Sequence, residues 1–220
     1  MNIDNFRRAI LAVGLVLPMS WTAGSVAAQT ARSFGVQVST PTLNQTAASA
    51  VLPPGGDQAQ NSGQSIAIGG LATAQDAFAI VNGDADPTYG STAVSSATLG
   101  AVNLLSGLIT TDGVVAVASS WIGSDATGSD AEGSSLANLV VNGVSVDDPG
   151  PNTRMDLPGT GYVVLNEQIP SGDGVTSSGL TVNMIHVVLQ QPILGLLGEV
   201  IGYQTVGNII VGSATSAVGN

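Results

Sequence analysis

The stretch that decides the fold runs from Leu99 to Trp121 and reads LGAVNLLSGLITTDGVVAVASSW. It contains two apolar runs, Leu99–Thr110 and Val114–Trp121, which are separated by Thr111-Asp112-Gly113. Asp-Gly between two apolar runs is among the strongest signals for a tight β-hairpin, because both residues tolerate the positive φ that such turns need. The stretch therefore predicts two antiparallel strands joined at Asp112-Gly113, and with them an antiparallel sheet.

The same alternation of strand formers and turn residues continues on both sides of this stretch. Turn signals recur about every 8–12 residues, a spacing typical of β-sandwiches and barrels. Further strands are predicted at Gly161–Glu167, Leu180–Leu189 and Asn208–Val218. Leu139–Val146 forms either two strands around Asn142-Gly143 or one strand with a bulge. The sequence thus predicts an all-β fold, an antiparallel sandwich or partly open barrel in a single domain.

Two alternatives bear on this fold prediction. Residues Thr92–Ser106 would also suit a helix, but their glycine and β-branched neighbours favour a strand. A β-solenoid is the alternative architecture, and it requires a fixed repeat period. The short similarities between Val81-Asn82-Gly83 and Val141-Asn142-Gly143 are too few to support one.

The first 28 residues have the features of an export signal. Arg7 and Arg8 supply positive charge, Ala9–Leu17 is an unbroken apolar run, and Val26-Ala27-Ala28 offers small residues for cleavage. The apolar run is too short for a membrane-spanning helix, which needs about 20 apolar residues. We expect cleavage near Ala28 and export to the periplasm or the extracellular medium. The general secretory route is favoured over the twin-arginine route.

The predicted organisation has three segments. A signal peptide occupies 1–28, an N-terminal strand and a Pro/Gly-rich segment occupy 29–64, and a β-rich domain occupies 65–220. We expect 29–64 and 65–220 to form one unit. The apolar stretches after the signal are interrupted by glycine and polar residues, so we expect no stable membrane insertion of the mature chain.

Composition excludes several classes of chemistry. Cys is 0, which excludes disulfides, thiol nucleophiles and Cys-ligated metals. The chain has one His, and its 4 basic residues are all Arg, so a His-cluster metal site and a Schiff-base lysine are excluded as well. The net charge of −11 would repel phosphate backbones, and we therefore expect no nucleic-acid partner.

The residues that could carry catalysis are few. His186 is the only candidate general base, and period-2 counting places it on the same face of an apolar strand as Leu180, Val182 and Met184. This position favours a structural histidine. Asn166 and Glu167 at a strand end could bond a neighbouring strand or a ligand, and structural pairing is favoured. The chain has no nucleophile elbow, so we expect no enzyme and no cofactor.

Two acidic segments are candidate calcium sites. The first places oxygen ligands at alternate positions but has Pro87 where an EF-hand loop has glycine, and the second lies in a Gly/Ser-rich stretch. We expect at most weak calcium binding at either. The candidate ligands are Asn82, Asp84 and Asp86 in the first segment and Asp125, Asp130 and Glu132 in the second.

Several segments together resemble one group of bacterial proteins. They are Ser33–Val36, Leu52–Gly56, Leu139–Val146, Pro151–Gln168, Gly179–Leu189 and Ile209–Val218. Their sequence is similar to the choice-of-anchor P family of secreted, surface-associated proteins. The resemblance implies a shared domain with no assigned enzymatic activity and no functional residues to carry over. A sorting pentapeptide, a terminal apolar helix and a basic tail are not found in the sequence, which favours a soluble secreted or periplasmic form.

These observations lead to one functional hypothesis and one alternative. The hypothesis is an exported, non-enzymatic β-domain for surface display, adhesion or extracellular interaction, with a protein or a glycan as partner. Low charge leaves the edge strands weakly protected, so self-association through these edges is a further expectation. The alternative is a secreted carbohydrate-active or other hydrolase, which would need convergent carboxyl groups.

Overall fold

The computed structural model describes residues 28–86 and 90–219, and these form sixteen β-strands and one turn of 3-10 helix, Leu105–Gly107. In chain order the strands are β1 (Ala28–Thr40), β2 (Leu43–Val51), β3 (Gln58–Ile68), β4 (Ala72–Asp86), β5 (Gly90–Leu99), β6 (Val102–Leu104), β7 (Ile109–Thr111), β8 (Gly113–Ile122), β9 (Thr127–Asp130), β10 (Ser135–Ala137), β11 (Leu139–Val141), β12 (Val144–Val146), β13 (Thr153–Leu157), β14 (Gly161–Ser171), β15 (Ser177–Leu194) and β16 (Val200–Gly219). The predicted export signal lies outside the described residues except for Ala28, the first residue of β1.

The strands form two antiparallel sheets. One has six strands in the order β13-β14-β15-β16-β1-β2. The other follows the order β10-β8-β5-β4-β6-β7-β11-β12, with β3 paired to β4 and β9 paired to β8. One sheet curls into half a barrel, and the predicted all-β fold is confirmed. The solenoid alternative is wrong, because β1 and β16 come from distant parts of the chain and pair directly.

The core lies between the two sheets. The six-stranded sheet contributes branched side chains and the other sheet contributes many alanines, so the two backbones can approach closely. Burial of each large aliphatic side chain contributes about 1.5–3 kcal/mol. Fully buried members include Val36, Val182, Ile185, Ile209 and Val211 on one side and Ala74, Ala97, Leu104, Val114 and Ala116 on the other. Where polar groups meet across the core they bond each other, as Ser120 Oγ and Ser216 Oγ do at 2.7 Å.

The hairpin predicted at Asp112-Gly113 is wrong. β7 and β8 continue one strand path that bends at Asp112, while β6 and β5 run antiparallel beside them in one register. The chain reverses at the 3-10 turn Leu105–Gly107 instead. At the bend, Asn138 Nδ2 donates to Asp112 Oδ2 at 2.9 Å, and the Asp112 amide donates to the Ala137 carbonyl at 2.9 Å. Asp-Gly therefore forms a strand corner, because β10 and β11 pair with both halves of the bent strand.

Two other local predictions, at Leu139–Val146 and Thr92–Ser106, agree with the structure. Asn142-Gly143 joins β11 to β12 as a two-residue turn, with φ angles of 50° and 76° that fit a type I′ hairpin. The two-strand interpretation of Leu139–Val146 is therefore confirmed. Residues Thr92–Ser106 contain most of β5 and all of β6, as the preference for a strand predicted, and end in the 3-10 turn.

A row of kinks crosses the six-stranded sheet. The register places one residue from each of five strands in this kink row: Asn166, Met184, Gly212, Gly35 and Ala48. On alternate strands the row has left-handed backbone, with φ of 48° at Asn166, 63° at Gly212 and 51° at Ala48. A left-handed residue inside a strand bends it and breaks the alternation of its side chains. The row therefore changes which residues face the core on either side of it.

Candidate functional site

His186 lies on the face of the six-stranded sheet that points away from the core. The predicted face is wrong, since Val182 and Met184 belong to the core cluster while the His186 side chain remains 19% exposed. The change of face occurs at Met184 in the kink row, between left-handed Asn166 and Gly212 on the two adjacent strands, and after it Ile185 and Val187 face the core. Period-2 counting cannot anticipate such a change of phase.

His186 belongs to a chain of side-chain hydrogen bonds on β14, β15 and β16, which we call the polar cluster: Glu167, Asn183, His186, Asn208 and Ser213. His186 Nδ1 lies 2.9 Å from Glu167 Oε2, and His186 Nε2 lies 3.1 Å from Asn208 Oδ1. Asn183 Nδ2 donates to the same Glu167 oxygen at 2.7 Å. Ser213 Oγ donates to Asn183 Oδ1 at 2.8 Å. The cluster cross-links three adjacent strands.

The polar cluster favours the charged form of both titratable members. The hydrogen bond to Glu167 raises the pKa of His186, helped by Asn208 and opposed by burial. The hydrogen bond from His186 lowers the pKa of Glu167, helped by Asn183 and again opposed by burial. Both ring nitrogens face oxygen acceptors, so the imidazolium can donate at each nitrogen while a neutral ring could donate at only one. These contacts therefore favour an ion pair over a neutral pair between His186 and Glu167, which is 17% exposed.

This geometry suits a structural role for His186. A general base needs a nitrogen free to accept a proton from a nucleophile or substrate, and here each ring nitrogen contacts a protein oxygen. The hydroxyl of Ser213 donates to Asn183 instead of to the histidine. The neighbouring Asn166 also bonds protein groups, because its Nδ2 donates to the Pro149 carbonyl at 3.2 Å. These contacts are the structural pairing that the sequence favours for Asn166 and Glu167.

The second feature is a two-stranded arm. β14 pairs with β15 only as far as Leu189, and β1 pairs with β16 only from Asn208 onwards. Residues 190–206, which we call the arm, extend beyond these neighbours as a hairpin whose strands pair only with each other among the described residues. Its turn is closed by Gly195 and Glu199, with the Gly195 amide donating to the Glu199 carbonyl at 2.8 Å.

The arm exposes an unusual amount of apolar surface. Of the thirteen large apolar side chains that are exposed within residues 28–86 and 90–219, seven lie in the arm. They are Ile193, Leu194, Leu196, Leu197, Val200, Ile201 and Tyr203. At the tip, Leu196 is 104% and Leu197 95% exposed. Contiguous apolar patches on soluble proteins typically mark surfaces that contact another molecule.

A groove of 620 Å³ runs between one face of the arm and the turn that joins β13 to β14. Leu157, Pro158, Pro192, Val200 and Tyr203 supply its apolar lining. Its charged lining consists of Arg154 and Asp156, whose side chains lie 3.7 Å apart. The guanidinium of Arg154 also lies 3.8 Å above the ring of Tyr162. With one carboxylate among the described lining residues, the groove lacks the carboxyl pair that glycoside hydrolysis needs.

The first calcium candidate segment lies in a strand instead of a loop. Asn82, Asp84 and Asp86 occupy alternate positions of β4, so their side chains point to one side but are about 7 Å apart in succession. The second set is spread over the bend after β8, the end of β9 and the following turn. There the Glu132 amide donates to Asp130 Oδ1 at 3.2 Å, while Asp125 is exposed. Within the described residues no group of three or more His, Asp or Glu side chains is placed to hold a metal ion.

Sequence reasoning missed two features. Asp173 organises the β14–β15 turn, since its Oδ1 accepts from the amides of Val175, Thr176 and Ser177 at 2.8–2.9 Å. The Thr176 hydroxyl, which donates to Asp173 Oδ2 at 2.6 Å, and these amide hydrogen bonds hold the pKa of Asp173 well below its usual range. The arm was also missed, although Leu194-Gly-Leu-Leu-Gly198 is apolar, glycine-rich and free of the alternation that marks a half-buried strand. That lack of alternation is the signal that could have identified it.

No protein family, curated protein or solved structure matches this chain. The resemblance to the choice-of-anchor P family therefore stays a prediction. Across the described ranges, none of the helical structure is long and apolar enough to cross a membrane.

Proposed function

We propose that this protein is an exported, non-enzymatic β-domain that acts by extracellular contact, and that the arm is its contact surface. The single observation that carries the proposal is the arm, which exposes Leu196 and Leu197 almost completely. Burial of one leucine contributes about 1.5–3 kcal/mol, so two leucines and their neighbours supply enough free energy for a specific contact. The export part of the proposal rests on the sequence of residues 1–28 alone.

The polar cluster supports the non-enzymatic part. Its histidine is held by Glu167 and Asn208, and its hydrogen bonds connect strands of one sheet to each other. Among the described strands, in contrast, those of the arm pair only with each other, and the arm carries seven exposed apolar side chains. A contiguous exposed apolar surface of this kind is best explained by a binding role.

Loss of extracellular contact in a variant of the arm tests the proposal. We compare the wild type, the double variant Leu196→Ser/Leu197→Ser, and the control Val144→Ser, which alters an apolar residue that is 58% exposed on the β11–β12 hairpin. Contact is measured both as complexes larger than the monomer in the exported fraction and as sedimentation with cell envelopes. We expect the wild type and the control to make contact by one of these two measures, and the double variant to lose at least tenfold of it. Equal contact by all three would overturn the role of the arm. N-terminal sequencing of the exported protein should give Gln29 as first residue, and an intact Met1 would overturn export by cleavage.

A further inference from the structure

The arm and the groove both carry apolar side chains, and each carries a charge of the opposite sign to the other's. The groove is lined by residues from Gln190 and Thr160 at the base of the arm to Val200 near its tip, with Leu157, Pro158, Pro192 and Tyr203 among its apolar members. The tip presents Leu196 and Leu197, which no residue in the ranges 28–86 and 90–219 covers. A tip cannot fold back into the groove at its own base, because a two-stranded arm of this kind is extended. The tip of another molecule, approaching antiparallel, can enter it.

Charge points to the same pairing. Glu199 is the single charged residue of the arm, and its Oε2 accepts from the Leu197 amide at 3.0 Å, which fixes the carboxylate beside the two tip leucines. Arg154 is the cation of the groove, and its ion pair with Asp156 is long, at 3.7 Å, between side chains that are 59% and 82% exposed. A guanidinium has five N–H donors, so Arg154 can bind a second carboxylate without releasing Asp156.

The backbone of the arm favours a partner that contacts its side chains over a partner that adds a strand to its β15 edge. The Gln190 amide points towards β14 and donates to the Thr160 carbonyl at 2.8 Å. Since amides alternate along a strand, the nitrogen of Pro192 faces the same side, now an open edge, and has no N–H to donate. Proline at this position blocks a continuous ladder with an added strand.

We propose that a second copy of this chain docks antiparallel on the arm, so that Leu196 and Leu197 of each copy fill the groove of the other and Glu199 of each faces Arg154 of the other. The arrangement is two-fold symmetric, and each contact is therefore made twice. A lipid surface is a poorer occupant, because the carboxylate of Glu199 would enter the apolar phase with the leucines and the chain has a net charge of −11. This inference rests on the proposed function, since it names the partner of the same arm.

Sedimentation equilibrium of the exported protein tests the proposal. We expect a concentration-dependent dimer for the wild type and for Val144→Ser, and a monomer for Leu196→Ser/Leu197→Ser. Glu199→Arg and Arg154→Glu should each raise the dissociation constant at least tenfold, because each brings like charges together. The double reversal Glu199→Arg/Arg154→Glu should restore it to within about threefold of the wild type. A double reversal no better than the single variants would overturn the proposed pairing. Circular dichroism establishes that each variant is folded.

Two further measurements separate this inference from the proposed function. A wild type that stays monomeric but sediments with cell envelopes through Leu196 and Leu197 would overturn the dimer and leave the proposed function standing. Flotation with phosphatidylcholine vesicles identifies lipid as the occupant if a monomeric wild type floats and the leucine variant does not, and this result also overturns the dimer. If the leucine variant changes neither association nor retention, both proposals fail.

Discussion

β15 and β16 each have one region that is buried in the six-stranded sheet and one region that is exposed to solvent. Residues 177–189 and 207–219 lie in the middle of the six-stranded sheet, flanked by β14 and β1 and covered by the second sheet. Residues 190–206 belong to the same two strands, but β14 and β1 have ended and the second sheet does not cover them. The body buries Ile185, Ile209 and Val211 completely, whereas the arm leaves Leu196 and Leu197 in solvent.

Burial of an apolar residue in β15 and β16 therefore depends on which strands lie beside it. Strand-forming residues occur in both regions, so the local sequence accounts for the strands of each. The body is then stabilised by the two core faces and by the polar cluster. An isolated two-stranded hairpin is at best marginally stable, and the arm therefore depends on the body for its register. Changes in the body should affect stability, and changes in the arm should affect association.

Glycines in the two regions give the largest expected contrast. Gly212 in the body has φ of 63°, and a Cβ there would overlap the side chain of buried Val114. Gly212→Ala should therefore cost about 1–2 kcal/mol for the left-handed backbone and about 1–3 kcal/mol more for overpacking. Gly198→Ala in the arm is the matched control, since Gly198 has φ of 83° and nothing within 4 Å of a Cβ. Urea unfolding measures both.

The control Gly198→Ala should lower the free energy of unfolding only by the backbone contribution of about 1–2 kcal/mol. The loss is smaller if the arm frays without unfolding the body. Equal losses for the two variants would contradict the contrast between a tightly packed body and an open arm.

The polar cluster offers the next contrast. Glu167→Gln removes the charge that pairs with His186 while keeping the size of the side chain, and His186→Gln removes the ring. Each leaves polar groups of the cluster without a full set of partners, so we expect a loss of about 1–3 kcal/mol in the free energy of unfolding. Dimerisation should be unchanged, because the cluster lies in the body. Loss of association at unchanged stability in either variant would place the cluster in the contact surface.

The dependence of stability on pH sharpens this prediction. The pKa of His186 is raised above its ordinary 6.5, so its stabilisation is complete below pH 6.5 and is lost as pH rises through the raised pKa. The pKa of Glu167 is lowered below its ordinary 4.5, so its stabilisation is complete above pH 4.5 and is lost as pH falls through the lowered pKa. The free energy of unfolding of the wild type should therefore exceed that of the double variant Glu167→Gln/His186→Gln by the largest amount between pH 4.5 and pH 6.5.

Urea unfolding of both proteins at a series of pH values measures that difference. Asp125→Asn, which changes an exposed carboxylate, is the control and should leave the profile unchanged. A difference that grows steadily as pH rises above 6.5 would contradict the raised pKa of His186.

The sequence predicted the fold class because turn residues and strand formers are local signals. Asn142-Gly143 shows this well, since the two residues by themselves determine a turn with positive φ. Asp112-Gly113 has the same chemistry but forms a strand corner, because the neighbouring strand that pairs across the bend is distant in sequence. His186 was placed on the wrong face for a related reason. Asn166 and Ala48 adopt left-handed backbone in the kink row, and neither position has the glycine that would indicate a positive φ in the sequence.

The candidate sites were harder to predict than the fold. The pairing of His186 with Glu167 and Asn208 depends on the register of three strands, which period counting along one strand cannot supply. The arm depends on where β14 and β1 end, and neither end is marked in the sequence of residues 190–206. The groove depends on the register of the strands and on where they end, since its lining residues Arg154 and Tyr203 come from distant segments. Local chemistry thus predicted elements, while long-range register created the sites.

Calcium should have the smallest effect on either region. The ion takes 6–8 oxygen ligands at about 2.3–2.6 Å, whereas successive side chains on one side of β4 are about 7 Å apart. We therefore expect no micromolar binding by Asn82, Asp84 and Asp86, although weak sites of about 10⁻⁴–10⁻³ M remain compatible with the surplus of acids. In the second segment, ordering the turn around an ion would cost about 1–2 kcal/mol per fixed residue.

Isothermal titration calorimetry of calcium into chelator-treated protein measures this directly. We expect no heat of binding at micromolar calcium, no change in the free energy of unfolding of the body, and no change in the association of the arm. Asp84→Ala and Asp130→Ala serve as the matched variants, one for each candidate segment, and both should behave as the wild type does. A micromolar dissociation constant that is lost in either variant would show that the ligands of that segment converge in solution. The extended backbone of β4 opposes this in the first segment, and the hydrogen bond from the Glu132 amide to Asp130 opposes it in the second.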